Sequence, residues 1–412
     1  MSKNIGIISI GLLILTSLSM TAPQWGFFAH RRINRLAVFT LPPEMAGYFK
    51  KNIEFITEHA VDPDKRRYAV KGEDIRHYID IDHWGTYPFP EVPRYWTDAL
   101  IKYTGLYAIS GKDTLRIERD TRPELQKKKE FYAFRDSIQG KSWLINKKTY
   151  RQFFQKHLLP QYGKDEWEVN CDTLARLLKM PLNCDKVIAI DYFSPYGIVP
   201  YHLVKMKRKL TNAFKQKDSK RILRLAAEIG HYVGDASVPL HTTENYNGQM
   251  TNQIGIHGFW ESRLPELFAD ETYDFYVGAA EYIDNPRAFF WDRVLTSHAM
   301  LDSVFSIEKY LSQNFPHDQQ FCYEERLDII IRTQCRAYAA AYHDHLNGMV
   351  EKRMRSTILA VGSTWYTCWV DAGQPDLSDM KKPVYTKEEL KKMEALDKAK
   401  SEGHIHGRPH QD

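Results

Sequence analysis

The sequence predicts a mainly α-helical protein organised as one multi-helix domain. Apolar residues recur at helical spacing along much of the chain, as in Ile222, Leu225, Ala226 and Ile229. Long helical patterns run from Ala288 to Phe315 and from Glu324 to Asn347, while strand signals are few. The 412 residues are 43% hydrophobic, which allows one large domain or two small ones, and no internal repeat is present.

Charge narrows the function classes. The formal net charge is +5, and much of the Lys/Arg excess sits in Lys205–Lys220 and Lys381–Lys400. That balance does not argue for a dedicated nucleic-acid binder. At the N-terminus, Lys3 precedes an apolar run from Ile5 to Leu15, then small and polar residues up to Gln24. Residues 1–24 therefore read as a secretory signal peptide, the alternative being an anchor or a buried helix. The run is short for a membrane span, and no other stretch of about 20 apolar residues exists. The expected protein is exported, to a periplasm or the exterior, and soluble. Five cysteines fit that compartment: Cys171–Cys184 is a candidate for a short bridged loop, and the odd count leaves a free thiol. With no CxxC pair, a thiolate zinc site is disfavoured.

In chain order, Trp25 to Leu41 reads as a first helix carrying His30, and Glu44 to Glu58 as a second. A loop, His59-Ala-Val-Asp62-Pro-Asp64-Lys-Arg-Arg, leads to a dense cluster of polar and aromatic groups from Arg76 to Trp84. Residues 100–195 are read as an insertion or lid, with helices at Lys127–Arg135, Tyr150–Leu159 and Asp172–Leu178. Helices follow at His202–Phe214, Ser219–Val233 and His257–Phe268, with a polar loop at Asn245–Gly255. The pattern starting at Glu324 continues past a break at Gly348 towards Trp369. The domain spans 25–374, and 375–412 reads as a polar, basic, loosely held tail.

The chemistry concentrates between His231 and Glu261. His231 and Asp235 are four apart, as are His257 and Glu261, so on a helix each pair shares a face. His241 lies between them, and Pro239 ends the preceding helix so that the chain turns back. Three imidazoles and two carboxylates suit zinc, and a bridging carboxylate lets two ions sit close together. One His/Asp pair alone is weak evidence; two pairs and a third histidine in one segment are much stronger. The isolated His59, His157, His202, His298 and His317 read as structural or solvated.

Taken together, Trp25 with His30, Asp62 with His77, His231-xxx-Asp235-xxxxx-His241 and His257-xxx-Glu261 resemble the zinc-dependent phospholipase C superfamily, which also includes the single-strand-specific zinc nucleases. The matching positions cover over half the chain. The resemblance implies a mainly α domain around a trinuclear zinc site. One ion would be held by Asp62, His77, His231 and Asp235. A second would be held by His241, His257 and Glu261. A third would be held by His30, by Asp235 as a bridge, and by the amino group and carbonyl of Trp25 as the mature N-terminus. That last site requires cleavage after Gln24; Ala22, the more usual signal-peptidase residue, would leave Pro23-Gln24 in front. Catalysis would use a metal-bridging hydroxide, with Asp235 as bridge and Asp62 also taking a proton.

The substrate motifs divide. His231-Tyr-Val-Gly-Asp-Ala-Ser-Val-Pro-Leu-His241, Glu261 and the short His241–His257 gap resemble the phospholipases. His77-Tyr78-Ile79-Asp80 resembles the nucleases, whose aromatic residue stacks on a base while the acid contacts it. Lys65 stands where nucleases carry a phosphate-contacting arginine, and Lys65, Tyr78 and Asp80 are the candidate substrate-binding residues. The expected function is an exported zinc-dependent phosphodiester hydrolase, phospholipase C-like, acting on phospholipid. The alternatives are a single-strand-specific endonuclease and a non-catalytic, zinc-stabilised binding protein. No stable protein partner is evident.

Overall fold

The computed structural model describes residues 27–408 apart from 121, 137–141, 165, 180–181, 327–328, 382, 404 and 407. Residues 1–24, read from the sequence as a signal peptide, and Trp25 lie outside the described residues.

The helical body begins with α1 (Phe27–Ala37), α2 (Pro43–Lys51), α3 (Ile53–Glu58) and the short α4 (Asp62–Arg66). The second expected helix is thus broken at Asn52, whose side chain turns back to donate to Tyr48 O at 2.8 Å. After a loop that includes His77 comes α5 (Trp96–Tyr103).

The chain then leaves the helical body. Strands β1 (Thr104–Ser110) and β2 (Asp113–Arg119), helix α6 (Pro123–Gln126), strands β3 (Phe131–Asp136) and β4 (Ser142–Asn146), helix α7 (Lys147–Phe153), strand β5 (Trp167–Val169), helix α8 (Cys171–Leu178) and strand β6 (Lys186–Asp191) build a separate lobe. Its antiparallel sheet runs β4-β3-β2-β1-β6-β5. Leu106 pairs with Ile117 on one side and Ala189 on the other, and these three join Val187, Phe134, Tyr150 and Trp167 in a core of the lobe's own.

The expectation of a mainly α, single multi-helix domain is therefore corrected: among the described residues, six strands form this sheet and two more form a hairpin. Period-two alternation is present in β1, where Leu106 and Ala108 face in and Tyr107 and Ile109 do not. Lys127–Arg135, read as a solvated helix because of its charges, is mostly a turn followed by β3. There Phe131, Tyr132 and Phe134 favour a pleated surface, and pairing to β2 and β4 outweighs the charge pattern.

Helices α9 (Val199–Lys215) and α10 (Ser219–Asp235) return to the body. They are followed by α11 (Ile256–Gly258), a π turn at Phe259–Arg263, α12 (Leu264–Thr272), α13 (Pro286–His298) and α14 (Leu301–Asn314). The next segment, expected to be helical from Glu324, opens instead as a hairpin of β7 (Phe321–Arg326) and β8 (Ile329–Gln334). Its Ile330-Ile331 run is β-branched, and Cys322–Cys335 closes its ends. Then come α15 (Arg336–His345), α16 (Met349–Asp371) and, in the polar tail, α17 (Lys387–Glu402) with a Thr386/Glu389 capping box. Both Cys171–Cys184 and Cys322–Cys335 are bridged, one more than expected, and Cys368 is free and buried.

Helix α10 is the axis of the body. Asp218 caps it by accepting from Arg221 N. It packs against α1, α9 and α16. Its small residues permit close approach: Asn34 of α1 donates to Ala227 O at 2.9 Å, and Trp365 of α16 to Ala226 O at 2.9 Å. This places the last turn of α10, with His231 and Asp235, deep in the protein beside His30 of α1. Two disulfides are compatible with an extracellular protein. Among the described residues, no helix is long and apolar enough to cross a membrane.

Candidate metal centre

Helices and turns spread along the chain deliver the site. His30 projects from α1, Asp64 from α4, and His77 follows a tight turn at Asp74–Arg76. His231 and Asp235 end α10, His241 sits in a 3₁₀ turn opened by Pro239, and His257 and Glu261 span α11 and the π turn. Such wide turns recur at functional sites. All but Asp64 are buried.

Their donor atoms gather into overlapping groups: His30, Asp64 and His231; His77, His231 and Asp235; His30, Asp235 and Glu261; and His241, His257 and Glu261. Asp235 joins two of them. Its Oδ2 lies 3.1 Å from His77 Nδ1 and 3.3 Å from His231 Nε2, while its Oδ1 lies 3.4 Å from His30 Nε2 and 3.9 Å from His241 Nε2. Asp64 Oδ1 completes the first side, 3.6 Å from both His77 Nδ1 and His231 Nε2. On the other side, Glu261 Oε2 is 2.7 Å from His257 Nε2 and 3.3 Å from His241 Nε2, and Oε1 is 3.5 Å from His30 Nε2.

These residues fit a metal ion on three counts. Tetrahedral ligands about 2.0–2.1 Å from zinc stand roughly 3.3 Å apart, the spacing seen here. The imidazoles are also oriented. His241 Nδ1 donates to His77 O at 2.8 Å and His257 Nδ1 to Tyr246 O at 3.1 Å, which leaves both Nε2 lone pairs aimed at Glu261. A carboxylate facing two lone pairs is stable only with a cation or extra protons between them. Finally, buried Asp235 Oδ2 accepts no hydrogen bond from the described residues.

Electrostatics agree. Burial pushes the Asp235 carboxyl up to about 8, with His241 and His30 opposing the shift. Burial also acts to raise Glu261, yet His241, His257 and His30 hold it well below the usual range. Burial lowers His231, favouring the neutral imidazole that binds metals. Behind the site, Tyr232 packs edge-on to His77 and donates to Glu73, which is fully buried and also takes Arg66 and Arg76. This network fixes the loop that carries His77.

The structure brings together seven of the expected ligands: His30, His77, His231, Asp235, His241, His257 and Glu261. Trp25 lies outside the described residues. Asp62 belongs to none of these groups, whereas Asp64 joins His30 and His231. On the single turn of α4, residues two apart point to different sides. Asp64 turns to His77 and His231, while Asp62 Oδ2 accepts from His59 Nδ1 at 2.6 Å and its Oδ1 lies 3.6 Å from Lys65 Nζ. The second acid of Asp62-Pro-Asp64 was the available signal, but nothing in sequence spacing says which acid faces inward. Lys65 points to Asp397 of α17, at 2.7 Å.

Tyr78 and Asp80 form part of a second feature. The guanidinium of Arg408 lies 3.7 Å from the Tyr78 ring centroid and 4.2 Å from that of Tyr246, and pairs with Asp80. Burial lifts the Asp80 carboxyl to about 6 in spite of Arg408. Neither Tyr246 nor Arg408 stands out in the sequence. No family model matches the chain, and no curated protein matches it.

Proposed function

We propose that the chain is an exported zinc-dependent phosphodiester hydrolase, phospholipase C-like, with three zinc ions at the groups described. The observation that carries this reading is Asp235, whose two oxygens face two different sets of buried ligands. One carboxylate shared in this way would let two ions sit close together, an arrangement that would suit a reaction at a phosphate.

The chemistry that zinc supplies in such a setting is activation of water near neutral pH and neutralisation of phosphate charge. The protein's own groups do the rest. His77, His231 and Asp64 would hold metal on one side, and His241, His257 and Glu261 on the other, with His30 between them. The His59–Asp62 pair is a place to hold or pass a proton beside the site. Lys65 offers a point charge to a phosphate oxygen.

Tyr78, Tyr246 and Asp80 support a phospholipid with a cationic headgroup, because two aromatic faces and a carboxylate already hold a cation there. The same aromatic pair favours the second reading, a single-strand-specific nuclease, since a base can stack where the guanidinium lies. The test is hydrolysis of phosphatidylcholine, single-stranded DNA and RNA by the zinc-loaded chain, each repeated after chelation. Chelator-sensitive release of a phosphorylated headgroup supports the first reading, and cleavage of nucleic acid alone moves the assignment to the second. Zinc-loaded protein inert on all three would leave a zinc-stabilised binding protein.

A further inference from the structure

We infer that the C-terminal segment is an autoinhibitory strap, docked across the mouth of the site and placing Arg408 where a substrate group would bind. This rests on the phosphodiesterase reading above. The path of the chain supports it. Lys220 of α10 pairs with Glu389 at 2.6 Å and lies over the Tyr385 ring at 5.3 Å. Asp397 then takes Lys65 at 2.7 Å, and Lys400 Nζ lies 3.9 Å from the Phe27 ring centroid at the start of α1. Beyond α17, His406 N donates to Arg67 O at 2.9 Å and Arg67 Nη2 to Arg408 O at 2.8 Å. Arg408 finally enters between Tyr78 and Tyr246 and pairs with Asp80.

All three candidate substrate-binding residues, Lys65, Tyr78 and Asp80, are thus taken by the strap. None of the residues of α17 is buried, so polar contacts rather than a core hold it to the body. Elements with few buried apolar contacts open at low free-energy cost. A planar cation between two aromatic faces, paired with an acid, is a competitive mimic of any cationic or planar substrate group. Closure in about nine molecules of ten would lower apparent substrate affinity about tenfold.

The test uses the full chain carrying Arg408→Ala, Arg408→Lys or Asp397→Asn, none of which touches a metal ligand. Hydroxyl-radical footprinting of Tyr78 and Tyr246 reports the docking without reference to activity. The kcat/KM on short-chain phosphatidylcholine and on a single-stranded oligonucleotide reports inhibition. Arg408→Ala is expected to raise labelling of both tyrosines and to raise kcat/KM about tenfold, chiefly through KM. Arg408→Lys, which keeps charge but loses the planar fork, is expected to fall between. Labelling unchanged by Arg408→Ala overturns the strap, as does increased labelling with unchanged kcat/KM on an active chain. If no chain hydrolyses either substrate, the phosphodiesterase reading fails. The footprint then decides occupation of the clamp alone: a rise supports it and no change overturns it.

Discussion

Asp235 Oδ2 lies 3.1 Å from His77 Nδ1, joining the end of α10 to a loop from the first quarter of the chain. The other oxygen of the same carboxylate faces His30 and His241. Asp235→Asn keeps the shape but replaces one of these anionic oxygens with an amide that does not bind metal well. Zinc affinity is expected to fall by at least ~100-fold, more than the ~10–100-fold typical of outer groups that only orient a ligand. Competition titration against a chromophoric chelator measures it, and an unchanged affinity would refute the shared carboxylate.

The two acids of α4 separate by the same measurement. Asp64→Asn should lower the zinc content, because Asp64 Oδ1 faces His77 and His231. Asp62→Asn should leave it intact and act instead on turnover, through the loss of a charged partner for His59. The opposite ranking would restore the ligand set that the sequence resemblance implies.

Stability should depend on pH in a metal-sensitive way. With metal chelated, Asp235 carries a carboxyl raised to about 8 from an ordinary value of 3.8. Between these values the folded chain holds a proton that the unfolded chain has released, so this group's contribution to stability falls as pH rises through the window. Zinc bound at Asp235 would replace that proton. The gap in Tm between zinc-loaded and chelated protein should therefore widen from pH 6 to pH 8; a constant gap would count against Asp235 as a ligand.

Packing behind the ligands gives a further prediction that removes no ligand at all. A Cβ on Gly234 would sit 2.8 Å from His30 Nδ1, and one on Gly230 would sit 2.0 Å from Asn34 Oδ1. Gly230→Ala should cost about 1–3 kcal/mol in denaturant unfolding by forcing α1 away from α10. Gly234→Ala should in addition lower zinc content by displacing His30. Full zinc occupancy in Gly234→Ala would show that His30 is not held at the site by this contact.

Reduction of the disulfides should spare the centre. Cys171–Cys184 lies in the sheet lobe and Cys322–Cys335 closes the β7–β8 hairpin, both outside the ligand set. Each closes a loop short enough that its loss costs about 3 kcal/mol of local stability. Reduced protein should show earlier melting with its zinc content unchanged, and loss of zinc on reduction would tie the lobe to the site.

The chain shows which of these features a sequence carries on its surface. His231, Asp235, His257 and Glu261 were legible because helical spacing converts directly into a shared face, and His30 and His77 because resemblance fixed their order. Asp64 was not, since the choice between it and Asp62 depends on how one turn of α4 is seated. The sheet lobe was missed because its strands are short and the charges of Lys127–Arg135 mimic a solvated helix. Arg408 was invisible for a different reason. Its partners Tyr78 and Tyr246 are remote in sequence, and nothing local marks a tail arginine as docked.

Zinc content per chain, measured in the intact protein and in Asp235→Asn, tests the central claim most directly. The account predicts at least two ions bound to the unaltered chain, with three at saturation, and the loss of more than one ion in Asp235→Asn. One ion or none in the unaltered chain, or the same content in both proteins, would contradict it.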